Sequence, residues 1–205
     1  MRKITLKNYL TAAFGLFVLL AVNACNPSSN EKKPAVSQVE ATELPGNSIY
    51  HIDGYWSDQN GDSLQLKAFA GKPIVFTMIF THCEYACPMM VNDLKKLEAL
   101  FSPEERQKFH FVLVSFDHLR DLPERLKEYA DSQELGANWS LLHGNEDLVK
   151  DLAMATDISF EFVDDGGIAH SNRKLVLDKQ GVILKSFNGL GTDPELIKSA
   201  LEELF

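Results

Sequence analysis

The sequence predicts an α/β fold with a mixed central sheet, helices on both faces and extra N-terminal strands. Two continuous apolar runs, residues 73–80 and 109–116, are typical of strands buried on both faces of a sheet. Segments with helical periodicity separate these runs and follow them. A strand–turn–strand pattern and a last amphipathic helix complete the chain.

The first predicted unit is a β-α-β unit over residues 73–116. Residues 87–100 carry apolar side chains at helical spacing, and Pro88 suits a first helical turn, where no N–H partner is needed. Ser102 is typical of an N-cap and predicts a short second helix before the second buried strand. We therefore expect two buried strands joined by helices.

The second half of the chain continues the alternation of strands and helices. The patterns predict a helix over Pro123–Leu135 stopped by Gly136, a strand over Trp139–Leu142 and a helix over Glu146–Ala155. A hairpin over residues 173–187 then turns at Lys179-Gln180-Gly181, and Asp193 caps a helix to Leu204. This order is that of a thioredoxin-like domain, with residues 49–69 supplying the extra strands.

The composition fits one domain with short appendages. The chain has 205 residues, of which 45% are hydrophobic, and we place the domain at residues 48–205. The formal net charge is −9, and no basic stripe is present that could neutralise phosphates. We therefore expect no nucleic-acid partner.

Residues 1–24 have the pattern of a secretory signal, with a basic start and an apolar run too short to span a membrane comfortably. Val22-Asn23-Ala24-Cys25 resembles a bacterial lipoprotein lipobox, which implies a lipid on Cys25. The domain would then be anchored to a membrane of the bacterial cell envelope, facing the periplasm or the outside. A plain signal peptide or an uncleaved anchor is the alternative. Residues 25–47 are predicted to be a flexible tether, with a reach of roughly 25 Å.

Two cysteines remain for the domain, Cys83 and Cys87. A disulfide between them would close only a short loop and add little stability, so redox chemistry or metal binding explains the pair better. They lie between the end of a predicted strand and the start of a predicted helix. The partial positive charge of a helix N-terminus lowers the pKa of a nearby thiol. The C-x-x-x-C spacing lets both sulfurs face one side, as Cu(I), zinc or dithiol redox chemistry requires.

A histidine late in the chain is the candidate third ligand. Dithiol oxidoreductases of this fold use C-x-x-C and a cis proline, but no proline occurs between Pro123 and Pro194. His170 occupies the corresponding place before a predicted strand, so we expect it opposite the cysteines. Two thiolates and one imidazole suit copper as Cu(I) and as Cu(II). A structural zinc site would want a fourth ligand.

Three ordered motifs carry a resemblance to a known family. Residues 80–88, FTHCEYACP, match T-x-C-x-x-x-C-P, and residues 114–124, VSFDHLRDLPE, match V-S-x-D-x-x-R-D-x-P-E. Residues 169–171, AHS, match a distal histidine motif. Together they resemble the Sco/SenC family of copper chaperones over residues 48–205.

The resemblance implies a ligand set and a client. Cys83, Cys87 and His170 would bind copper, and the protein would deliver it to the copper A site of cytochrome c oxidase subunit II, or reduce that site's thiols. Two features depart from the family: Glu84 replaces the usual Pro, and residues 164–167 form a shorter stretch. Another copper enzyme, such as a nitrous oxide reductase, is therefore an alternative client.

Two rival functions remain open. A thiol–disulfide reductase would need only Cys83 and Cys87 as its catalytic, redox-active pair, with a thioredoxin-like protein as reductant. A redox or copper sensor would use the same pair to change a partner contact. A peroxiredoxin-like peroxidase is disfavoured, because the usual Pro and Thr before the nucleophile are missing.

Other chemistry-bearing residues receive plainer interpretations. Asp117 belongs to a matched motif and is predicted either to support the ligands from a second shell or to cap a turn. His82 is expected not to be a ligand, although it adjoins Cys83. The Met89-Met90 pair is assigned to helix core or surface. The remaining histidines are expected to be solvated or capping: His51, His110, His118 and His143.

Overall fold

A seven-stranded mixed sheet forms the centre of the protein. The computed structural model describes residues 43–164 and 166–205. The sheet order is β2-β1-β5-β4-β3-β8-β9. The strands are β1 (Trp56–Asp58), β2 (Ser63–Leu64), β3 (Ile74–Ile79), β4 (His110–Ser115), β5 (Trp139–His143), β8 (Arg173–Leu177) and β9 (Ile183–Asn188). Strands β3, β4 and β5 are parallel, whereas β1 and β8 pair antiparallel with β5 and β3.

Five α-helices cover this sheet in the described residues. They are α1 (Ala86–Ala99), α2 (Pro103–Arg106), α3 (Pro123–Ser132), α4 (Glu146–Ala155) and α5 (Pro194–Glu202). Short 3-10 helices lie at Ile49–His51 and Leu66–Phe69. Every residue of β3 is buried, so both faces of the sheet are covered, as predicted for a thioredoxin-like domain. In the part of the chain described, no helix has the length and apolar character to cross a membrane.

Local sequence explains where most helices begin. Ser102 and Glu105 form a reciprocal capping box at α2, and the Asn145 side chain accepts from the Leu148 N–H at the start of α4. Asp193 caps α5 in the same way. These boundaries agree with the sequence prediction. The hairpin turn is also confirmed: Gly181, at φ +77°, leaves room for the Tyr50 ring, which a Cβ would meet at 2.8 Å.

Helix α3 ends earlier than predicted. We expected it to reach Leu135 and to stop at Gly136, but it ends at Ser132. Glu134 adopts a left-handed conformation with φ 54°, and the Leu135 N–H donates to the Ala130 carbonyl at 3.0 Å. This closing pattern ends a helix without glycine.

Two short strands form a second sheet that the sequence did not predict. Strands β6 (Phe160–Phe162) and β7 (Ile168–His170) pair antiparallel, with Phe160 opposite His170. Each has only three residues, which is too few for a periodicity to be recognised. We expected His170 in the stretch before β8, and the structure makes it the last residue of β7.

The N-terminal part of the chain is described only from Glu43 onward. The predicted signal peptide, the lipid-bearing Cys25 and the tether up to residue 42 lie outside the described residues. Leu44 already packs against the core, and the Ser48 N–H donates to the Pro45 carbonyl at 2.9 Å. Ordered packing therefore starts a few residues before the domain start that we expected at residue 48.

Candidate metal centre

The two cysteines flank the junction between β3 and α1. Cys83 lies in the loop after β3, and Cys87 is the second residue of α1. The Cys87 N–H donates to Cys83 Sγ at 3.3 Å, and the Phe80 N–H donates to Cys87 Sγ at 3.4 Å. A backbone donor that the start of α1 leaves free therefore holds Cys83 Sγ, and a donor directly after β3 holds Cys87 Sγ. Both cysteines are free thiols; Cys87 is fully buried and Cys83 is half-buried.

His170 brings its imidazole to the same place from the other half of the chain. Its Nε2 lies 3.7 Å from Cys87 Sγ, and its Nδ1 lies 3.2 Å from the Ser171 carbonyl oxygen. A carbonyl can only accept, so Nδ1 is the donor in that contact, and Nε2 is the ring nitrogen that faces the sulfur. The ring packs on Phe116 and Phe80, with centroid separations of 5.0 and 5.9 Å.

These three side chains have the arrangement of a metal site. One ligand atom from each lies within 4.8 Å of the other two. Three ligands at about 120° with sulfur bonds of about 2.3 Å and a nitrogen bond of about 2.0 Å lie roughly 3.7–4.0 Å apart. The residues therefore fit one ion after movements of less than about 1 Å. Among described residues the group has three members, one short of a closed zinc site.

The two thiols differ in acidity. The pKa of Cys83 is lowered from 9.0 to about 4, chiefly by the hydrogen bond from the Cys87 side chain and then by backbone N–H groups of residues 85–87, which outweigh burial. The pKa of Cys87 is raised, first by its role as donor to Cys83 and second by burial. At neutral pH the pair is therefore one thiolate at the surface and one thiol beneath it.

A buried carboxylate that sequence reasoning missed supports the cysteine loop. Asp121 is 0% exposed and accepts from the Thr81 N–H at 2.8 Å, the Thr81 hydroxyl at 2.6 Å and the Ser115 hydroxyl at 2.5 Å. These bonds fix the backbone two residues before Cys83. In the sequence, only the matched motif that contains residues 120–121 could have indicated this role. A single Asp after a strand forms no periodic pattern that would distinguish it.

Asp117 does not touch the ligands through its described hydrogen bonds. Its carboxylate accepts from the N–H groups of Leu119 and Arg120 and pairs with the Arg120 side chain. It therefore caps a turn, one of the two roles predicted for it. The indirect support of the metal site that we also considered stays a prediction.

The other predicted residues occupy varied environments. His82 stands apart from the three-residue group and lies 3.5 Å from Asp121. Met90 is in the core and Met89 is partly exposed, as expected for helix residues. The expectation that His110 is solvated or capping was wrong, because it packs on Phe69, contacts the Ser140 hydroxyl at 2.9 Å and has its pKa lowered by burial to about 4.

Comparison with known proteins identifies one family. The SCO1/SenC family model matches residues 51–205. An SCO2-like protein of Rickettsia typhi is 27% identical over 196 residues, which are 91% of this chain and 90% of that protein. A candidate copper-binding protein of Stutzerimonas stutzeri is 26% identical over 128 residues, 60% of this chain. That match spans 62% of the Stutzerimonas protein, which is less than two thirds of its length.

Solved structures agree on the fold. A SCO1/SenC family lipoprotein from Bacillus anthracis superposes with a TM-score of 0.68 at 25% identity, over 74% of this chain and 92% of that one. Copper-bound ScoI of Bradyrhizobium japonicum gives 0.64 at 24% identity, over 74% and 96%. Its likeness concerns the fold alone. Because the family model covers far more than half of the sequence, this chain belongs to the SCO1/SenC family.

Proposed function

We propose that the protein is a copper chaperone that binds one copper ion through Cys83, Cys87 and His170. One observation carries the proposal: a thiolate, a thiol and an imidazole, drawn from both halves of the chain, have ligand atoms within 4.8 Å of one another. The similarity to the candidate copper-binding protein of Stutzerimonas stutzeri supports the choice of metal. The ion is a cargo to be passed on.

The donor set and its exposure favour copper as that cargo. Sulfur stabilises Cu(I), and the imidazole helps to retain Cu(II). Cys83 is half-buried, so a partner's ligand can approach the ion from solvent, while Cys87 holds it from below. Transfer would then proceed by stepwise replacement of one ligand at a time, beginning with the accessible sulfur.

Sequence motifs support a proposal for the client and for the location. We propose the copper A site of cytochrome c oxidase subunit II as the recipient, with another copper enzyme as the alternative. The N-terminal pattern, with Cys25 as the lipid-bearing residue, supports a membrane-anchored protein of the bacterial cell envelope.

Copper content tests the ligand assignment. The purified wild-type chain is expected to hold about one copper per chain, as Cu(I) or Cu(II). His170→Ala should lose stoichiometric binding, and His51→Ala, whose exposed ring contacts the Pro45 carbonyl, is the matched control. Full copper affinity in the H170A protein would overturn the assignment.

A second function, thiol–disulfide reductase, is favoured by the unequal acidity of the thiols. The Cys83 thiolate would attack one sulfur of a client disulfide and release the other, which takes up a proton. Cys87 would then lose its proton and attack Cys83 Sγ, freeing the second client sulfur. The client gains two electrons, the pair becomes a disulfide, and a thioredoxin-like reductant would restore it. An H170A protein that still supports the client in cells would favour this function.

A further inference from the structure

His170 is supplied by a hairpin that stands outside the main sheet. Strands β6 and β7 pair only with each other, and their three-residue ladder ends at the Phe160–His170 pair. A two-stranded hairpin of this size is not stable alone in water and depends on contacts with the rest of the fold. The position of the imidazole therefore depends on what holds the hairpin.

Apolar contacts hold the base of the hairpin. Ile168 is 6% exposed, and the Phe160 ring packs on Phe116 at a centroid separation of 5.0 Å. The Ser171 N–H donates to the Ser159 carbonyl at 2.9 Å. Phe160 and Ser171 lie at the open end of the hairpin, next to His170.

Arg120 holds the turn. Its Nη2 donates to the Gly166 carbonyl at 2.8 Å, across 46 positions of sequence. Gly166 has φ +81°, a conformation that favours glycine, and its N–H donates to the Val163 carbonyl at 3.0 Å. The arginine thus bonds to the residue at which the turn closes.

Asp117 aims the arginine. Its carboxylate is 1% exposed, pairs with Arg120 Nε and accepts from the Arg120 N–H at 3.0 Å. The guanidinium group is therefore held by Asp117 through Nε, and its Nη2 reaches the Gly166 carbonyl in the hairpin. Without this carboxylate, a side chain that is 39% exposed would have many other positions open to it.

We propose that Arg120, aimed by Asp117, is a positioning residue that clamps the hairpin and so keeps His170 in its ligand position. The inference deepens the proposed metal site, since it explains how the histidine is held. It also gives Asp117 an indirect part in that site.

A second arginine provides a matched control because it holds the cysteine side. Arg125 Nε donates to the Thr81 hydroxyl at 2.9 Å, next to the bonds that Asp121 makes with Thr81. Arg125 is about as exposed as Arg120, at 38%. A change at Arg120 therefore tests the hairpin, and a change at Arg125 tests the cysteine loop.

Hydrogen exchange of the metal-free full chain tests the clamp directly. Arg120→Ala is expected to speed amide exchange in residues 160–170 by roughly 3- to 10-fold, the effect of one solvent-accessible hydrogen bond. Arg125→Ala should leave that segment unchanged. Wild-type exchange in the R120A hairpin would overturn the proposal. This measurement involves no copper, so it stands even if the copper assignment fails.

Copper affinity gives the functional readout. By competition with a chelator, R120A should bind Cu(II) roughly 3- to 10-fold more weakly than wild type, while the reduction potential of the Cys83–Cys87 pair stays the same. In the H170A background the R120A change should cause no further loss of the residual binding. An equal loss there would contradict the idea that Arg120 acts through His170.

A conservative variant guards against simple misfolding. Arg120→Lys keeps a positive charge beside Asp117, but one ammonium group cannot reproduce the planar fork that joins a carboxylate to a carbonyl. Its exchange and its copper affinity should change in the same direction as those of R120A, with the thermal midpoint kept near that of wild type. Wild-type values for both readouts in R120K would overturn the clamp.

Discussion

Replacing Cys87 should remove most of the acidity of Cys83. The pKa of Cys83 is about 4 instead of 9.0, and the largest cause is the hydrogen bond from the Cys87 side chain. In Cys87→Ala only the backbone N–H groups at the start of α1 remain to stabilise the thiolate. We expect the pKa to rise by about two units or more, because burial, which raises it, is then opposed only by the backbone N–H groups.

The assay is thiolate absorbance near 240 nm, or the rate of alkylation, followed from pH 3 to pH 10. Wild type should show one thiolate forming with a midpoint near pH 4, and the second thiol should stay protonated because the pKa of Cys87 is raised. His170→Ala should keep the midpoint near 4, since the Cys87 side chain and the backbone N–H groups that lower the pKa of Cys83 stay in place. An unchanged midpoint in C87A would refute the account of the acidity.

Further predictions concern stability and can be measured by urea unfolding. Lys174→Met should cost about 3–5 kcal/mol, because it leaves the buried Asp93 carboxylate, 3.1 Å from the Lys174 amine, without its cation; a loss below 1 kcal/mol would contradict this. Asp121→Asn should cost about 2 kcal/mol by weakening the charged bonds to Thr81. Because burial lowers the pKa of His110 to about 4, the unfolded chain takes up its proton first as pH falls below about 6.5. Stability should therefore decrease between pH 6.5 and 4, by up to about 3 kcal/mol from this residue, and His110→Gln should flatten that part of the curve; equal slopes in the two proteins would argue against it.

Strongly patterned segments were predictable from the sequence. The two apolar runs became β3 and β4, and the helix over Glu146–Ala155 has the bounds that its cap and periodicity predicted. In these segments burial, propensity and end signals agree, so local rules suffice. The end of α3 was not predictable in this way, because Glu134 adopts a left-handed conformation that its residue type does not favour.

The candidate site was predictable only where chemistry restricts the residue type. Cys83, Cys87 and His170 were recognisable because few other residues bind soft metals. The supporting residues were less visible, since Asp121 and Arg120 act through single hydrogen bonds to backbone that is distant in sequence. Such bonds depend on the tertiary structure. His170 ends a strand of only three residues, which is too short to give a periodic pattern in the sequence.

The most direct test of the central claim is the coordination of copper itself. X-ray absorption of the copper-loaded wild-type chain should show two sulfur ligands and one imidazole nitrogen, and the imidazole contribution should disappear in the H170A protein. A spectrum of wild type with sulfur ligands alone, or one that H170A leaves unaltered, would contradict the assignment of the three residues as a metal centre.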